Sequence, residues 1–227
     1  MNWFISALTS GVGRKVIMAL TGLFLILFLI VHLLGNLQLL KDDGGQAFNV
    51  YSHFMAHNGF IQLVSKLNFF FILLHAFVSY TLYVRNKQAR PVSYKVNGAA
   101  ANSSWSSRSM TLLGTLIFIF LLVHLQGFWY AFKFGSGIPT VTIDGVEMHD
   151  AYKWVAAAYA NPVISGFYVF SMIVLAFHLW HGFSSAFQSL GLNHVKYTGF
   201  VKVLGYAYAI IVPALFAIIP VVLYLKR

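Results

Sequence analysis

His32, His75, His124 and His178 each stand deep inside a separate long apolar run of the chain. An imidazole held in hydrocarbon is costly unless something pairs it. One chemistry that accepts such a group is metal ligation, and a haem iron takes a neutral imidazole on each of its faces. Two such pairs would hold two b haems. With both axial positions filled by histidine, a haem carries electrons and leaves no position for oxygen. Cysteine is absent, which excludes disulfides, iron–sulfur clusters and thiolate-ligated haem within this chain.

Depth sorts the four histidines into pairs. At ~1.5 Å of rise per residue, His32 lies roughly 27 Å beyond Arg14, and His124 roughly 24 Å beyond Arg108. His75 lies only about 15 Å before Arg85, and His178 about 19 Å before Gly191. If the first and third runs travel outward and the second and fourth inward, His32 and His124 share the outer half and His75 and His178 the inner half. In an up-down bundle the first and third helices are diagonal, as are the second and fourth. A small residue stands one turn after each histidine, at Gly35, Ser79, Gly127 and Gly182. Such residues are expected to let a flat macrocycle approach its helix.

The elements that must position these groups are transmembrane helices. Of 227 residues, 59% are hydrophobic and only 9% charged, a balance that places the chain among polytopic membrane proteins. Five spans are expected, at 16–40, 61–84, 110–132, 163–188 and 203–225, each long enough to cross the hydrocarbon. The fold class is therefore all-α, with a four-helix haem-binding bundle and a fifth flanking helix, in a single domain over 1–227. The first span follows Arg14-Lys15 as a signal peptide would, but its apolar stretch is too long and reads as a retained helix.

The net charge of +10 reports topology here, with no nucleic acid as partner. Five basic residues crowd 85–108, whereas all five acids (Asp42, Asp43, Asp144, Glu147, Asp150) fall in the opposite loops. The expectation is an N-terminus on the cytoplasmic side. Residues 1–13 form an apolar lead-in at the interface, and 41–60 is a loop opened by the Asp42-Asp43-Gly44-Gly45 turn. Loop 86–108 is a solvated connector or a docking surface. Thr140–Met148 reads as a hairpin on Asp144-Gly145, followed by a short helix at 151–160. Asn161-Pro162 opens the fourth span. Pro213 and Pro220 are expected to kink or break the fifth span, and Trp129, Tyr130 and Trp154 to form an aromatic belt. A weak repeat relates Phe28–Leu33 to Phe120–Leu125, each carrying its histidine at the fifth place.

Other candidates compete. His181 follows His178 by three residues and ligates in its place on an alternative reading. His53 and His57 flank the outer start of the second span, where a polar interface pocket would suit a quinone head group. His149 and His194 lie in loops without an assigned role. A proton relay also uses buried histidine, but it expects acidic residues within the spans, and there are none.

Taken together, Phe28-Leu-Ile-Val-His32-Leu33, Ala47-Phe48-Asn49 with His53-Phe54-Met55, Leu74-His75-Ala76, Val123-His124, Gly166-Phe167-Tyr168 and Phe177-His178 with Gly182 carry a resemblance. In order and spacing the chain resembles the di-haem cytochrome b subunit of succinate dehydrogenase and fumarate reductase, the five-helix single-polypeptide kind. The resemblance implies one haem b on His32 and His124 and another on His75 and His178, and it favours His178 over His181. It also implies a bacterial cytoplasmic membrane, a flavoprotein and an iron–sulfur subunit anchored on the cytoplasmic face, and electron exchange with menaquinone. Such a chain does not act on succinate alone. Arg14, Lys15, Arg85 and the Ser/Trp/Arg stretch around Trp105 are then expected to bind propionates of the inner haem or the partner subunits. One departure is that residues 51–70 contain no Asp or Glu, where some relatives place a carboxylate for quinol protons. Alternative readings are the cytochrome b anchor of a nitrate reductase, formate dehydrogenase or hydrogenase, and a haem-free transporter or anchor.

Overall fold

Local sequence sets where each helix begins. In the computed structural model, which describes residues 2–89 and 99–227, Asn2 caps a short exposed helix, α1 (Trp3–Thr9). The Ser10 hydroxyl then accepts the Gly13 N–H at 3.0 Å and starts α2 (Gly11–Asn36). A tighter turn over Leu37–Leu40 prolongs this first span. At 41–45 the Asp43 carboxylate accepts the N–H groups of Gly45 and Ala47. Gly44 and Gly45 take φ of +66° and +88°, and a side chain at Gly45 would run into the Tyr152 ring.

Residues 46–57 were expected as part of a loop; they form a helix, α3 (Gln46–His57). Its Phe48 and Asn49 are buried, while Phe54 and His57 are exposed. The Asn58 side chain accepts the Ile61 N–H and opens α4 (Gly59–Gln88). After the undescribed stretch come two single-turn helices, α5 (Ala99–Asn102) and α6 (Trp105–Arg108). Much of the connector expected at 86–108, with Arg90, Pro91 and Lys95, lies outside the described residues.

The third span is α7 (Met110–His124), a wide π-helical turn at Leu125–Tyr130 and a last turn, α8 (Ala131–Phe134). A hairpin follows, with β1 (Thr140–Ile143) antiparallel to β2 (Val146–His149). Asp144 and Gly145 both have positive φ, +50° and +77°, as a two-residue type I′ turn requires. Asp150 caps α9 (Ala151–Tyr159) through the Lys153 N–H. Asn161 accepts the Val163 N–H at 2.9 Å, with Pro162 in the first turn of α10 (Pro162–Ser189).

The fifth span, α11 (Thr198–Leu225), runs unbroken through Pro213 and Pro220. Of the expected kink or break, the break does not occur: both prolines lie buried inside the continuous helix. The Tyr208 hydroxyl donates to the Ile26 carbonyl at 2.7 Å and ties this helix to α2.

Five helices are long and apolar enough to cross a bilayer, which makes this an all-α, multi-pass membrane protein. α2 packs on α4 and α10, α7 packs on α10 and α4, and α11 lies outside this ring against α10 and α2. Leu27, Phe77, Leu112, Val163 and Phe200 face outward, as lipid contact demands. One core cluster (Leu39, Phe48, Val155, Tyr159, Ile219) seals the hairpin end. Another (Ile26, Leu179, Phe183, Ala209) packs α2, α10 and α11 together.

Candidate functional site: two imidazole pairs in the bundle

Because α2 and α7 are diagonal in the ring, residues on their inner faces can meet across its axis. His32 and His124 do so, with ring centres 5.9 Å apart and planes at 87°. The other diagonal, α4 and α10, brings His75 and His178 to 6.4 Å at 68°. His178 is the histidine whose ring meets that of His75; His181, three residues on, is half-buried. The first pair lies toward the hairpin end of the bundle, and the second toward the far end. Two imidazoles bound trans to one ion at about 2 Å per bond place their ring centres about 6 Å apart. Both pairs fit that separation.

Three of the four rings, those of His32, His75 and His124, have a polar group at Nδ1. The Thr21 hydroxyl lies 3.0 Å from His75 Nδ1, and the Tyr168 hydroxyl 3.3 Å from His124 Nδ1. The Asn36 amide donates to the His32 carbonyl at 2.8 Å and reaches within 3.4 Å of its Nδ1. Thr21 was not singled out from the sequence, and Tyr168 entered only within the Gly166-Phe167-Tyr168 motif, without a role. Each reaches its histidine from a different helix, a relation that local spacing does not encode. Around the hairpin-end pair, Phe28, Phe120, Phe128, Tyr168 and Phe216 form an aromatic enclosure. Outside the spans, burial and then neighbouring Tyr168 push the Tyr159 phenol well up, so it stays a neutral donor.

The expected clearance residues do not behave alike. A side chain at Gly35 would strike the Tyr51 ring, so this glycine admits α3 and not a macrocycle. Gly127 is exposed, turned outward within the wide turn. Open space lies beside Gly182. The far-end pair instead faces two other glycines: a Cβ on Gly22 would sit 3.4 Å from His75 Cε1, and one on Gly114 3.9 Å from His178 Cε1. These belong to α2 and α7, the two helices that supply no histidine to this pair. Both stand ten residues before the histidine of their own span, a spacing visible in the sequence but not read from it.

Two buried polar atoms here, His178 Nδ1 and Asn68 Oδ1, have no hydrogen-bond partner among the described residues. Asn68 is 7% exposed and two helical turns before His75 on α4. Unpaired polar atoms inside a membrane bundle are costly, and a polar group lodged between the helices would satisfy them. Arg14 also buries an Nη1 without a hydrogen-bond partner among the described residues, whereas the next residue, Lys15, is exposed. These two expected cationic contacts therefore differ: Arg14 reaches inward and Lys15 does not.

His53 and His57 stack on the face of α3, ring centres 4.1 Å apart, with His57 Nδ1 donating to the His53 carbonyl at 2.8 Å. With Val50, Phe54, Val146 and Met148 they line an open groove of about 470 Å³ between α3 and the hairpin. The belt residues Trp129 and Tyr130 are exposed, and Trp154 Nε1 donates to the Gly127 carbonyl at 3.2 Å. Comparisons with protein-family models, with curated proteins and with solved structures find no match to this chain.

Proposed function

We propose that this chain is the membrane subunit of a succinate:quinone oxidoreductase, holding one b haem between His32 and His124 and another between His75 and His178. The observation that carries the reading is the double pairing: two imidazole couples at two heights, on the two diagonals of one bundle, each about one bridging ion wide. When bound, the two haems supply one-electron carriers at two depths of a hydrocarbon layer about 30 Å thick.

The residues do the rest. Four imidazoles bind, and Thr21 and Tyr168 orient two of them. Gly22 and Gly114 leave a flat group room beside the far-end pair. The half-buried Arg14, whose Nη1 is turned inward, is suited to a propionate there by charge-assisted hydrogen bonding. Lys15, exposed beside it, is assigned to the partner surface.

In this reading the N-terminus lies in the cytoplasm of a bacterium and the hairpin end faces outward. The flavoprotein and iron–sulfur subunits would then dock at the far end, and a haem held by His32 and His124 would supply the electron carrier nearest menaquinone. The groove of His53 and His57 is assigned to the quinone head group, because its largely apolar wall carries two imidazoles at one edge.

A reduced-minus-oxidised spectrum of membranes containing the chain tests the reading. A b-type band with two redox components is expected, and His75→Ala should erase one of them. Absence of the band would leave only a haem-free anchor or transporter. Co-purification with a flavin-containing, succinate-oxidising partner separates this subunit from anchors of molybdenum or nickel enzymes.

A further inference from the structure

Thr21 is 3% exposed, in the middle of the first span, on the face of α2 that meets α4. Its hydroxyl proton is already committed: Oγ1 lies 2.8 Å from the Ile17 carbonyl and 3.1 Å from that of Met18. A threonine back-bonded in this way satisfies its own donor within the helix. What remains on the oxygen is acceptor capacity, and His75 Nδ1 lies 3.0 Å away. A ring nitrogen facing an oxygen that can only accept carries the proton. His75 is thereby held as the Nδ1–H tautomer, with the Nε2 lone pair free.

We propose that Thr21 is the positioning residue that makes His75 an Nε2 ligand and raises its basicity, while His178, opposite, has no such support. The inference rests on the haem reading above and concerns one of its two sites only. His178 Nδ1 has no partner among the described residues, so the two imidazoles of this pair are unequal. A ligand whose second nitrogen donates a hydrogen bond is the stronger base and favours the oxidised metal. Thr21 therefore holds the far-end potential below the value that two unsupported imidazoles would set. Gly22, the next residue, keeps the same stretch of α2 close to the ring.

The test compares Thr21→Val, which keeps the shape and removes the acceptor, with Thr21→Ser, which keeps the acceptor. Potentiometric titration and low-temperature EPR are read on the purified chain, alongside haem content per chain. In Thr21→Val the component that His75→Ala erases should rise in midpoint potential and shift its g-value. Retention of haem at that site should fall about tenfold, the low end for loss of a supporting hydrogen bond to a ligand. The other component should stay at its wild-type potential, and Thr21→Ser should match wild type at both. If Thr21→Val fails to accumulate, Thr21→Ala and Thr21→Ser decide: alanine shifted and serine unshifted sustains the role. Unchanged potential and g-value in Thr21→Val, or an equal shift in Thr21→Ser, overturns it. A wild-type chain without any b-type band sinks the haem reading itself, a result distinct from either.

Discussion

The ring of His32 stands edge-on to that of His124, 5.9 Å away across the diagonal of the bundle, although 92 residues separate them in sequence. Neither imidazole has an acidic residue within its span, and beyond its contact with Asn36 or Tyr168 each faces the other across the axis.

That facing arrangement predicts a shared phenotype. His32→Ala and His124→Ala should each abolish the same redox component, and the double substitution should remove no more than either single one. Difference spectra resolved by redox potential check this, with His75→Ala as the complementary control. Loss of different components in the two single variants would refute the pairing.

Tyr168 offers a gentler perturbation. Its hydroxyl is 3.3 Å from His124 Nδ1, and the ring is packed by Phe120, Phe128 and Tyr159. Tyr168→Phe keeps the packing and removes one hydrogen bond, a net loss of about 1 kcal/mol. The hairpin-end component should shift in potential and lose haem about fivefold more readily, while the far-end component holds.

Gly22 and Gly114 should tolerate little bulk once the far-end site is filled. Gly22→Leu and Gly114→Leu place a branched side chain against His75 and His178. Haem content should fall from two per chain to one, with the far-end component missing and helical content by circular dichroism unchanged. Gly127→Leu, on an exposed turn, should leave both components in place.

At the hairpin end, Asn49 fastens α3 to α9. Its Nδ2 donates to Asp150 Oδ1 at 3.0 Å, its Oδ1 accepts the Tyr152 N–H at 2.8 Å, and the residue is 3% exposed. Asn49→Ala strands the amide of Tyr152 and should cost about 2–3 kcal/mol. Thermal unfolding in detergent measures it. A spectrum with both redox components intact at low temperature would show that the α3–α9 tie stabilises the bundle without touching the haem sites.

Much of this architecture could be read from the chain because regular helices convert residue count into height. His32 and His124 fell together, as did His75 and His178, once Arg14, Arg85 and Arg108 marked one membrane edge. The Asp144-Gly145 hairpin and the Asn161-Pro162 helix start were legible because their backbone chemistry is local. Azimuth was not legible. Gly35 and Gly127 have the spacing of clearance residues, yet one faces Tyr51 and the other turns outward. α3 escaped notice because Gln46, Asn49, Ser52, His53 and His57 interrupt its apolar residues, so twelve residues of helix resemble a polar loop. Pro213 and Pro220 suggested a kink or break, yet the helix continues through both where they are buried. The partners of His75 and His124 come from other spans, and no single stretch of sequence names them.

The wide turn at Leu125–Tyr130 gives the third span two independent registers. A π-helical turn accommodates a residue more than a regular one, so everything beyond it is rotated relative to what precedes it. His124 keeps its aim at the bundle axis while Trp129 and Tyr130, a few residues later, remain turned outward. Deleting one residue there would straighten the rod and force a choice, with either the imidazole or the aromatic girdle swinging about 100° out of place.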